Sequence, residues 1–311
     1  MSDDAVAAIA RAVLYEGYVL WPYRRSATKN RQRWTFGGVH PEGWSRAHPD
    51  DRCAIRAQCL LEGPPDVAVI VSVRFLQVVR RQPADAGGAP VDELDGVLAW
   101  DEARERETTL VARSGAPARA TIDVPAGRDV EPVAGGTLVR SWDALAGTVD
   151  VALEPLATAV HRLSATVANA TPFDGGDRDA ALRRTLASTH VVLRSEKGAF
   201  VSQTDPPEEL REAAAACENV GVWPVLVGDR HTMLASPIVL PDHPQIAPES
   251  PGDLFDGCEI DQLLILNVLA LSDDERREAR ASDPRAREIL DRCAALGPED
   301  IMRLHGVLRA P

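Results

Sequence analysis

The chain lacks the features that mark membrane-spanning or secreted proteins. No run approaches the ~20 apolar residues of a membrane span, and the first residues have no basic segment followed by a long apolar one, as a secretion signal would. Only 5% of the residues are aromatic, while 45% are hydrophobic and 26% charged, as in ordinary globular proteins. We therefore expect a soluble, cytoplasmic protein without membrane insertion, and its 311 residues favour about two domains.

Cysteine is scarce, and the usual catalytic motifs are missing. The five cysteines form no C-x-x-C pair, which indicates reduced thiols rather than a disulfide framework or a zinc or iron–sulfur site. The chain has no phosphate-binding loop, no G-x-G-x-x-G after a strand, no H-E-x-x-H and no G-x-S-x-G. The seven histidines are dispersed along the chain. The sequence therefore predicts no cofactor, no catalytic residues and, on balance, no enzyme.

Basic residues are too few to balance the acidic ones, and the net charge is −13. Such a balance argues against nucleic acid and against anionic membrane surfaces as partners. One segment is basic although the chain as a whole is acidic. It covers residues 14–34, and we call it the basic arm. It contains all three tyrosines and two tryptophans, and residues 11–34 carry a net charge of +5, which leaves −18 for the rest.

Two interpretations of the basic arm remain open. In the first, it docks an acidic protein partner, because arginine and tyrosine are typical of interface hot spots and arginine binds carboxylates bidentately. The residues that would bind the partner are Tyr15, Glu16, Tyr18, Tyr23, Arg24, Lys29, Asn30, Arg31 and Arg33. In the second, the arm is an intramolecular clasp that ties the two domains together and pairs its arginines with their acidic residues. Burial of the tyrosines would favour the clasp.

The pattern of apolar residues predicts an α+β fold with a β-rich, sandwich-like antiparallel N-terminal domain and a smaller α+β C-terminal domain. Residues 4–14 have helical spacing, and apolar residues alternate from Cys53 onward. Residues 67–79 read as a long strand that is buried on both faces for part of its length. Shorter strands follow at 108–113, 119–124, 136–141, 148–154 and 158–169.

Turn residues at 171–177 suggest the domain boundary, so we predict an arm at 1–50, a sandwich-like domain at 51–172 and an α+β domain at 173–311. The last domain is expected to contain two hairpins, 186–194 with 199–203 and 222–227 with 233–240. It is also expected to contain a strand at 263–271. Four helices are predicted in this part. The first covers 205–219, the second begins with a capping box at Ser272, the third begins at Asp283, and the fourth covers 297–308.

Two further patterns could carry chemistry, and each has a simpler structural explanation. The loop 241–261 brings together Asp253, Asp256, Glu259 and Asp261, whose carboxylates could bind Mg²⁺ or Ca²⁺, although turn and capping roles explain them better. Cys217 with His190 or His231, or Cys258 with His243, could form a thiol–imidazole pair. A buried cysteine in a packed helix is the simpler interpretation.

Both ends of the chain resemble a known family. The segments LYEGYVLWPYRRSATKNRQRWTFGGVHP, VSQTDPPEELREAAAACENVGVWPVLVG and LHGVLR are similar to uncharacterised bacterial proteins whose genes lie in clusters for actinobacterial-type NiFe hydrogenases. The segment from ASPIVLPDHP to PRAREIL shares the resemblance, and residues 81–145 follow it only loosely.

The resemblance implies a cytoplasmic accessory protein that helps to assemble, mature or scaffold a hydrogenase. Because metal-inserting chaperones use cysteine pairs, histidine tracts or nucleotide loops, we expect this one to act by binding a hydrogenase subunit. Two alternatives are a metal-dependent hydrolase using the 241–261 loop, and a stable subunit of a larger complex.

Overall fold

A computed structural model describes residues 3–31, 33–245 and 261–297. The α-helices within them are α1 (Asp3–Tyr15), α2 (Glu42–Ser45), α3 (Arg178–Leu182), α4 (Arg211–Ala215), α5 (Asp261–Leu269), α6 (Asp273–Ser282) and α7 (Pro284–Ala295). The strands are β1 (Ala54–Glu62), β2 (Ala68–Asp85), β3 (Glu93–Leu94), β4 (Val97–Leu98), β5 (Trp100–Arg113), β6 (Ala118–Val124), β7 (Gly127–Val133), β8 (Gly136–Trp142), β9 (Leu145–Ala157), β10 (Val160–Asn169), β11 (Ala187–Arg194), β12 (Ala199–Phe200), β13 (Trp223–Val227) and β14 (Asp229–Ser236).

Two antiparallel sheets carry most of these strands, and helices are concentrated toward the C-terminal part, which confirms the β-rich α+β prediction. The order of the first sheet is β12-β1-β10-β9-β6. The order of the second is β13-β14-β11-β2-β8-β7, and β5 also pairs with β2. The sheets share one apolar core, because alternate residues of β1, β2, β9 and β10 all contribute to it.

Strand β2 is buried on both faces over part of its length, as its sequence predicts. Val69, Val71, Val73 and Phe75 lie on the face between the two sheets. On the opposite face, Leu76 and Val78 pack instead with the basic arm and helices α5 to α7. A half-exposed strand would alternate apolar and polar residues, so the continuous apolar run reflects this second layer.

The N-terminal helix covers another part of the same sheet. Residues Val6, Ile9 and Val13 of α1 form a buried cluster with residues of β11, β13 and β14. Their spacing of three and four positions is that of one helix face, so the predicted helix at 4–14 is confirmed. The predicted hairpin at 222–240 is confirmed as well, with β13 and β14 paired antiparallel.

Both sheets extend across residue 172, where the sequence predicts a domain boundary. Strand β11 pairs with β2, placing His190 opposite Arg74, and β12 pairs with β1, placing Phe200 opposite Leu61. Residues beyond 172 therefore complete the sheets that residues before 172 begin. Backbone hydrogen bonds of both sheets join the two parts. Whether the parts before and after residue 172 fold as separate units stays a prediction.

The strand predicted at 263–271 is wrong, because most of this segment belongs to helix α5. Leu264, Ile265 and Val268 are buried, whereas Leu263 and Leu266 are exposed. Burial at positions i, i+1 and i+4 is helical, but a continuous apolar run fits a strand and a buried helix equally well. The packing of α5 against α7 and the arm decides between them.

Two other predictions near β11 are wrong. Strand β12 does not form a hairpin with β11, because it pairs with β1 in the other sheet. The helix expected at 205–219 is reduced to a 3-10 turn at Glu208–Leu210 followed by α4. Asn219 then bonds to the backbone of Gln58, and Val220 pairs with Arg56, so contact with β1 draws the chain out of the helix.

The caps of the C-terminal helices follow the sequence. Ser272 and Glu275 form the predicted capping box at the start of α6. Asp283 caps α7 by accepting a hydrogen bond from the backbone N–H of Arg285, with Pro284 in the first turn. The last predicted helix, to Leu308, lies outside the described residues except for Gly297.

Candidate functional site: the basic arm and an arginine groove

The three tyrosines of the basic arm are buried. Tyr15, Tyr18 and Tyr23 are each at most 1% exposed. The ring of Tyr18 contacts Tyr15 and Trp34 edge to face, at centroid distances of 5.4 and 5.2 Å. Burial was the observation that would favour the clasp, so these tyrosines are corrected from docking residues to packing residues.

The clasp centres on the carboxylate of Asp283, at the junction of α6 and α7. The Tyr18 hydroxyl donates to its Oδ2 at 2.5 Å, and Trp100 Nε1 donates to the same oxygen at 3.1 Å. Burial and this carboxylate raise the pKa of Tyr18, so the phenol keeps its proton. Tyr15 likewise donates to Glu105 of β5 at 2.7 Å. The arm thereby joins the second sheet to the C-terminal helices.

Two polar members of the proposed docking set also point inward. Arg33 is 5% exposed, donates to the carbonyls of Tyr18 and Asp101, and lies 3.7 Å from the ring centroid of Trp100. Desolvation lowers its pKa. Asn30 bonds through its amide to the backbone of Leu20 and Arg24. These contacts shape the arm, and neither side chain is available to a partner.

The remaining members differ among themselves. Arg24 forms an ion pair with Glu275 at 3.1 Å, as the clasp predicts, while Glu16 is half-buried. Lys29 and Arg31 are exposed. The Arg31 side chain has no hydrogen bond or ion pair with any described residue, and it faces an open groove.

This groove, which we call the arginine groove, has a volume of about 1060 Å³. Its walls come from the arm, the ends of β2 and β5, the β3–β4 segment and α3. Seven arginines and five acidic residues give it a net charge of +2 in a chain of net charge −13: Arg25, Arg31, Arg33, Arg80, Arg81, Arg178, Arg183, Asp92, Asp101, Asp177, Asp179 and Glu278.

Four of the arginines are engaged by the protein itself. Arg81 is 4% exposed, forms an ion pair with Glu102 at 2.8 Å and donates to Ser282 O at 2.6 Å. Arg25 bonds to Asp92, and Arg178 donates to the carbonyl of Arg33. Together with Arg33 these side chains fix the walls. They are structural cations that bond to carboxylates and carbonyls of the protein itself.

The other three arginines are uncommitted. The side chains of Arg31, Arg80 and Arg183 have no hydrogen bond or ion pair within the described part of the chain, and all three line the groove. Arg31 comes from the arm, Arg80 from β2, and Arg183 from the end of α3. Three guanidinium groups from separate elements thus offer donors suited to carboxylate or phosphate.

Asp101 lies among them. It sits directly opposite Arg80 in the pairing of β5 with β2, yet no ion pair joins the two side chains within 4.0 Å. Desolvation raises the pKa of Asp101, and this effect exceeds the opposing influence of Arg33, Arg183 and Arg80. The carboxyl group has lost part of its water without gaining a hydrogen-bond donor from the described residues.

The suggested thiol–imidazole pairs are not assembled where the structure describes them. The Cys217 thiol lies 3.6 Å from the carbonyl of Ala213 and is directed at it. His190 and His231 bond instead to the carbonyls of Ser188 and Gly198. Burial also raises the pKa of Cys217, which disfavours the thiolate. Cys258 lies outside the described residues, so its pairing with His243 is untested.

A smaller cavity of about 180 Å³ adjoins His40. The His40 ring lies between Thr185 Oγ1, at 3.0 Å, and Asp51 Oδ1, at 3.6 Å. Thr185 is fully buried and donates its proton to Ala181 O, so it serves as a helix contact rather than as a nucleophile. Desolvation lowers the pKa of His40, so the ring tends to be neutral and packed.

Among the described residues, no group of three or more His, Cys, Asp or Glu side chains is arranged to hold a metal ion. The acidic residues proposed for a metal site in the 241–261 loop fall outside the described part, apart from the backbone of Asp261. No helix in the described ranges is long and apolar enough to cross a membrane.

The fold and the groove define an α+β protein of two packed antiparallel sheets, with helices and an arm layered on one of them. No protein-family model matches the chain, and no curated protein matches it either.

Proposed function

We propose that this protein is a non-enzymatic accessory protein that binds an acidic segment of a partner protein in the arginine groove. One observation carries the proposal: Arg31, Arg80 and Arg183 line an open cavity, and their side chains have no hydrogen bond or ion pair with any described residue. Clustered like charges repel each other, and a ligand carboxylate would relieve that repulsion while accepting paired N–H bonds. The basic arm contributes Arg31 to the groove, so part of the docking prediction is retained there.

A hydrogenase subunit is the partner that we propose, in an assembly, maturation or scaffolding role. The support for this choice is the resemblance of both chain ends to proteins encoded in NiFe hydrogenase clusters. The dimensions of the groove are compatible with such a partner, because about 1060 Å³ of open space admits an extended segment. The acidic surface elsewhere would disfavour contact with other acidic regions and so orient the encounter.

The test is co-purification of hydrogenase subunits with a variant that reverses the groove charge. We expect Arg31→Glu/Arg80→Glu/Arg183→Glu to lower the recovery of hydrogenase subunits by about tenfold or more, since charged interface contacts are typically worth over 1 kcal/mol. Subunits are identified and quantified by mass spectrometry against the wild-type protein.

The matched control reverses three exposed arginines outside the groove, Arg113, Arg128 and Arg211. This control changes the net charge of the protein by the same amount as the groove variant does. We expect it to capture hydrogenase subunits as well as the wild type. Both variants must keep the wild-type unfolding temperature, since none of the six side chains is buried. Equal capture by the groove variant and the wild type would rule out the groove as the docking surface.

The two alternatives make different predictions. A stable subunit of a larger complex would remain with its partners at fixed stoichiometry through high salt and gel filtration, whereas groove contacts weaken with salt. A metal-dependent hydrolase using the 241–261 loop would contain stoichiometric metal on elemental analysis. That metal would be lost in Asp253→Ala/Asp256→Ala.

A further inference from the structure

The arginine groove contains uncommitted charges of both signs. Besides Arg31, Arg80 and Arg183, the carboxylates of Asp101 and Asp179 have no hydrogen bond or ion pair within the described residues. Asp101 responds electrostatically to Arg80, Arg183 and Asp179, so these four side chains are neighbours. They nevertheless do not come within the 4.0 Å that defines an ion pair.

Asp101 is the most informative of these groups. It is half-buried, and its backbone carbonyl accepts from Arg33 Nη2 at 2.8 Å, which fixes the residue at the groove wall. Its carboxyl group is desolvated enough to raise its pKa, although three arginines oppose that shift. A partly buried carboxylate is stable when a donor meets it. The donor that would meet Asp101 is not supplied by the described residues.

This arrangement discriminates among ligands. A ligand with negative charge alone would satisfy Arg80 and Arg183 but bring that charge against Asp101 and Asp179. A purely cationic ligand would satisfy the two acids and be repelled by the arginines. A ligand with both signs at short spacing satisfies the two sets together, and repulsion rejects the others.

We propose that the groove recognises a mixed-charge peptide segment, in which an acidic side chain meets Arg80 and Arg183 and a neighbouring basic side chain meets Asp101. The inference rests on the proposed function, because it specifies the kind of partner segment that the groove admits. It also gives Asp101 and Asp179 a role in a groove that binds an acid, because their charges disfavour uniformly acidic chains.

Two fluorescent peptides of equal length test the proposal by anisotropy titration, one alternating glutamate with lysine and one alternating glutamate with serine. We expect the wild-type protein to bind the glutamate–lysine peptide about fivefold more tightly, as one extra ion pair of about 1 kcal/mol implies. Asp101→Asn should weaken binding of the glutamate–lysine peptide and strengthen binding of the glutamate–serine peptide.

The arginine variant separates the two recognition elements. Arg80→Ala/Arg183→Ala should weaken binding of both peptides, and the control Arg128→Ala should change neither. If Asp101→Asn shifts both affinities in the same direction, Asp101 acts on the structure of the groove and the inference is overturned. An unchanged unfolding temperature in that variant would exclude misfolding as the cause.

The failure of the inference can be told apart from failure of the proposed function. If the wild type binds neither peptide but the groove-reversal variant still loses hydrogenase subunits, the mixed-charge inference is overturned and the groove remains a docking site. If the wild type prefers the glutamate–serine peptide, the inference is also overturned. If the groove-reversal variant binds peptides and subunits as the wild type does, both proposals fail.

Discussion

At the scale of single residues, Asp283 joins three parts of the molecule. One carboxylate oxygen accepts from Tyr18 of the arm and Trp100 of β5, and the other caps helix α7. Asp283 is 1% exposed, so its charge is compensated by these donors and by the nearby guanidinium of Arg33. The sequence shows Asp283 only as a helix cap, because the donors lie 183 and 265 positions away.

We expect Asp283→Ala to lower the free energy of unfolding by about 2–4 kcal/mol, measured by urea denaturation. The variant leaves two buried donors without an acceptor and removes an N-cap. Tyr18→Phe, which removes one donor, should cost about 1 kcal/mol. The control Asp123→Ala, exposed on β6, should stay within about 0.5 kcal/mol of wild type. An Asp283 variant as stable as this control would contradict the role assigned to the carboxylate.

His190 is a second residue whose surroundings set its behaviour. It is fully buried, its Nε2 has no hydrogen-bond partner, and burial lowers its pKa to about 4. The folded state therefore resists a proton that the unfolded state accepts below about pH 6.5. The stability that neutral His190 permits is present above pH 6.5 and is lost as the pH falls toward 4.

We expect His190→Gln to flatten the pH dependence of stability between about pH 6.5 and 4, where the wild type loses about 3 kcal/mol through this residue. Urea midpoints measured across that range give the comparison. Thr121→Ala, which alters an exposed side chain that does not titrate, is the control and should keep the wild-type slope. Parallel curves for wild type and His190→Gln would show that protonation of His190 does not oppose folding.

At the scale of elements, the basic arm is a packed layer. Its tyrosines and Trp34 form one buried cluster with α5, α6, α7 and the outer face of β2. A docking arm and a clasp have the same composition, because both use aromatic residues and arginine. Burial distinguishes them, and it assigns the tyrosines, Asn30 and Arg33 to the clasp while Arg31 lines the groove.

We expect trypsin to cut the arm slowly in the folded protein, although it contains Arg24, Arg25, Lys29, Arg31 and Arg33. Cleavage requires local opening, and its rate follows the free energy of that opening. Asp283→Ala removes the acceptor of the Tyr18 hydroxyl and so weakens the attachment of the arm. If the free energy of local opening falls by about 2 kcal/mol, cleavage in the arm should be about thirtyfold faster. Fragment mass spectrometry follows the sites. Equal rates in the two proteins would indicate that Asp283 does not hold the arm.

At the scale of the whole molecule, the charge is unevenly distributed. The chain has a net charge of −13, and the arginine groove has +2. Long-range repulsion among the acidic residues opposes binding of polyanions, whereas the groove offers a local site for carboxylates. This division is the reason that groove contacts, rather than overall charge, are expected to decide which partner binds. Such binding should weaken as ionic strength rises.

Local patterns predict many elements correctly. Alternation in β2 and β10, the helical spacing of α1 and the capping box at Ser272 are all confirmed. These features arise from contacts between residues close in sequence or from one buried face. The α+β class follows from them. Helix α5 was missed because its apolar run has no periodicity that separates helix from strand.

The groove was only partly visible in the sequence. Arg31 and Arg33 belonged to the proposed docking set, but Arg80 and Arg183 did not. A signal existed in the adjacent arginine pairs at 24–25, 80–81 and 183–184. In the second pair, Arg81 is buried and pairs with Glu102, while Arg80 is exposed in the groove. No local sequence rule predicts which of the two arginines is buried and which is exposed.

The fold class, most strands, the helix caps and the unusual charge of residues 14–34 can be predicted from the amino-acid sequence, because these features depend on composition and short-range spacing. The tertiary fold buries the tyrosines of the arm against the C-terminal helices, continues both sheets past residue 172, and brings Arg31, Arg80 and Arg183 to one groove. Each of these depends on contacts between residues far apart in the chain. Such contacts are fixed by packing and by backbone pairing, and neither is encoded in any single segment.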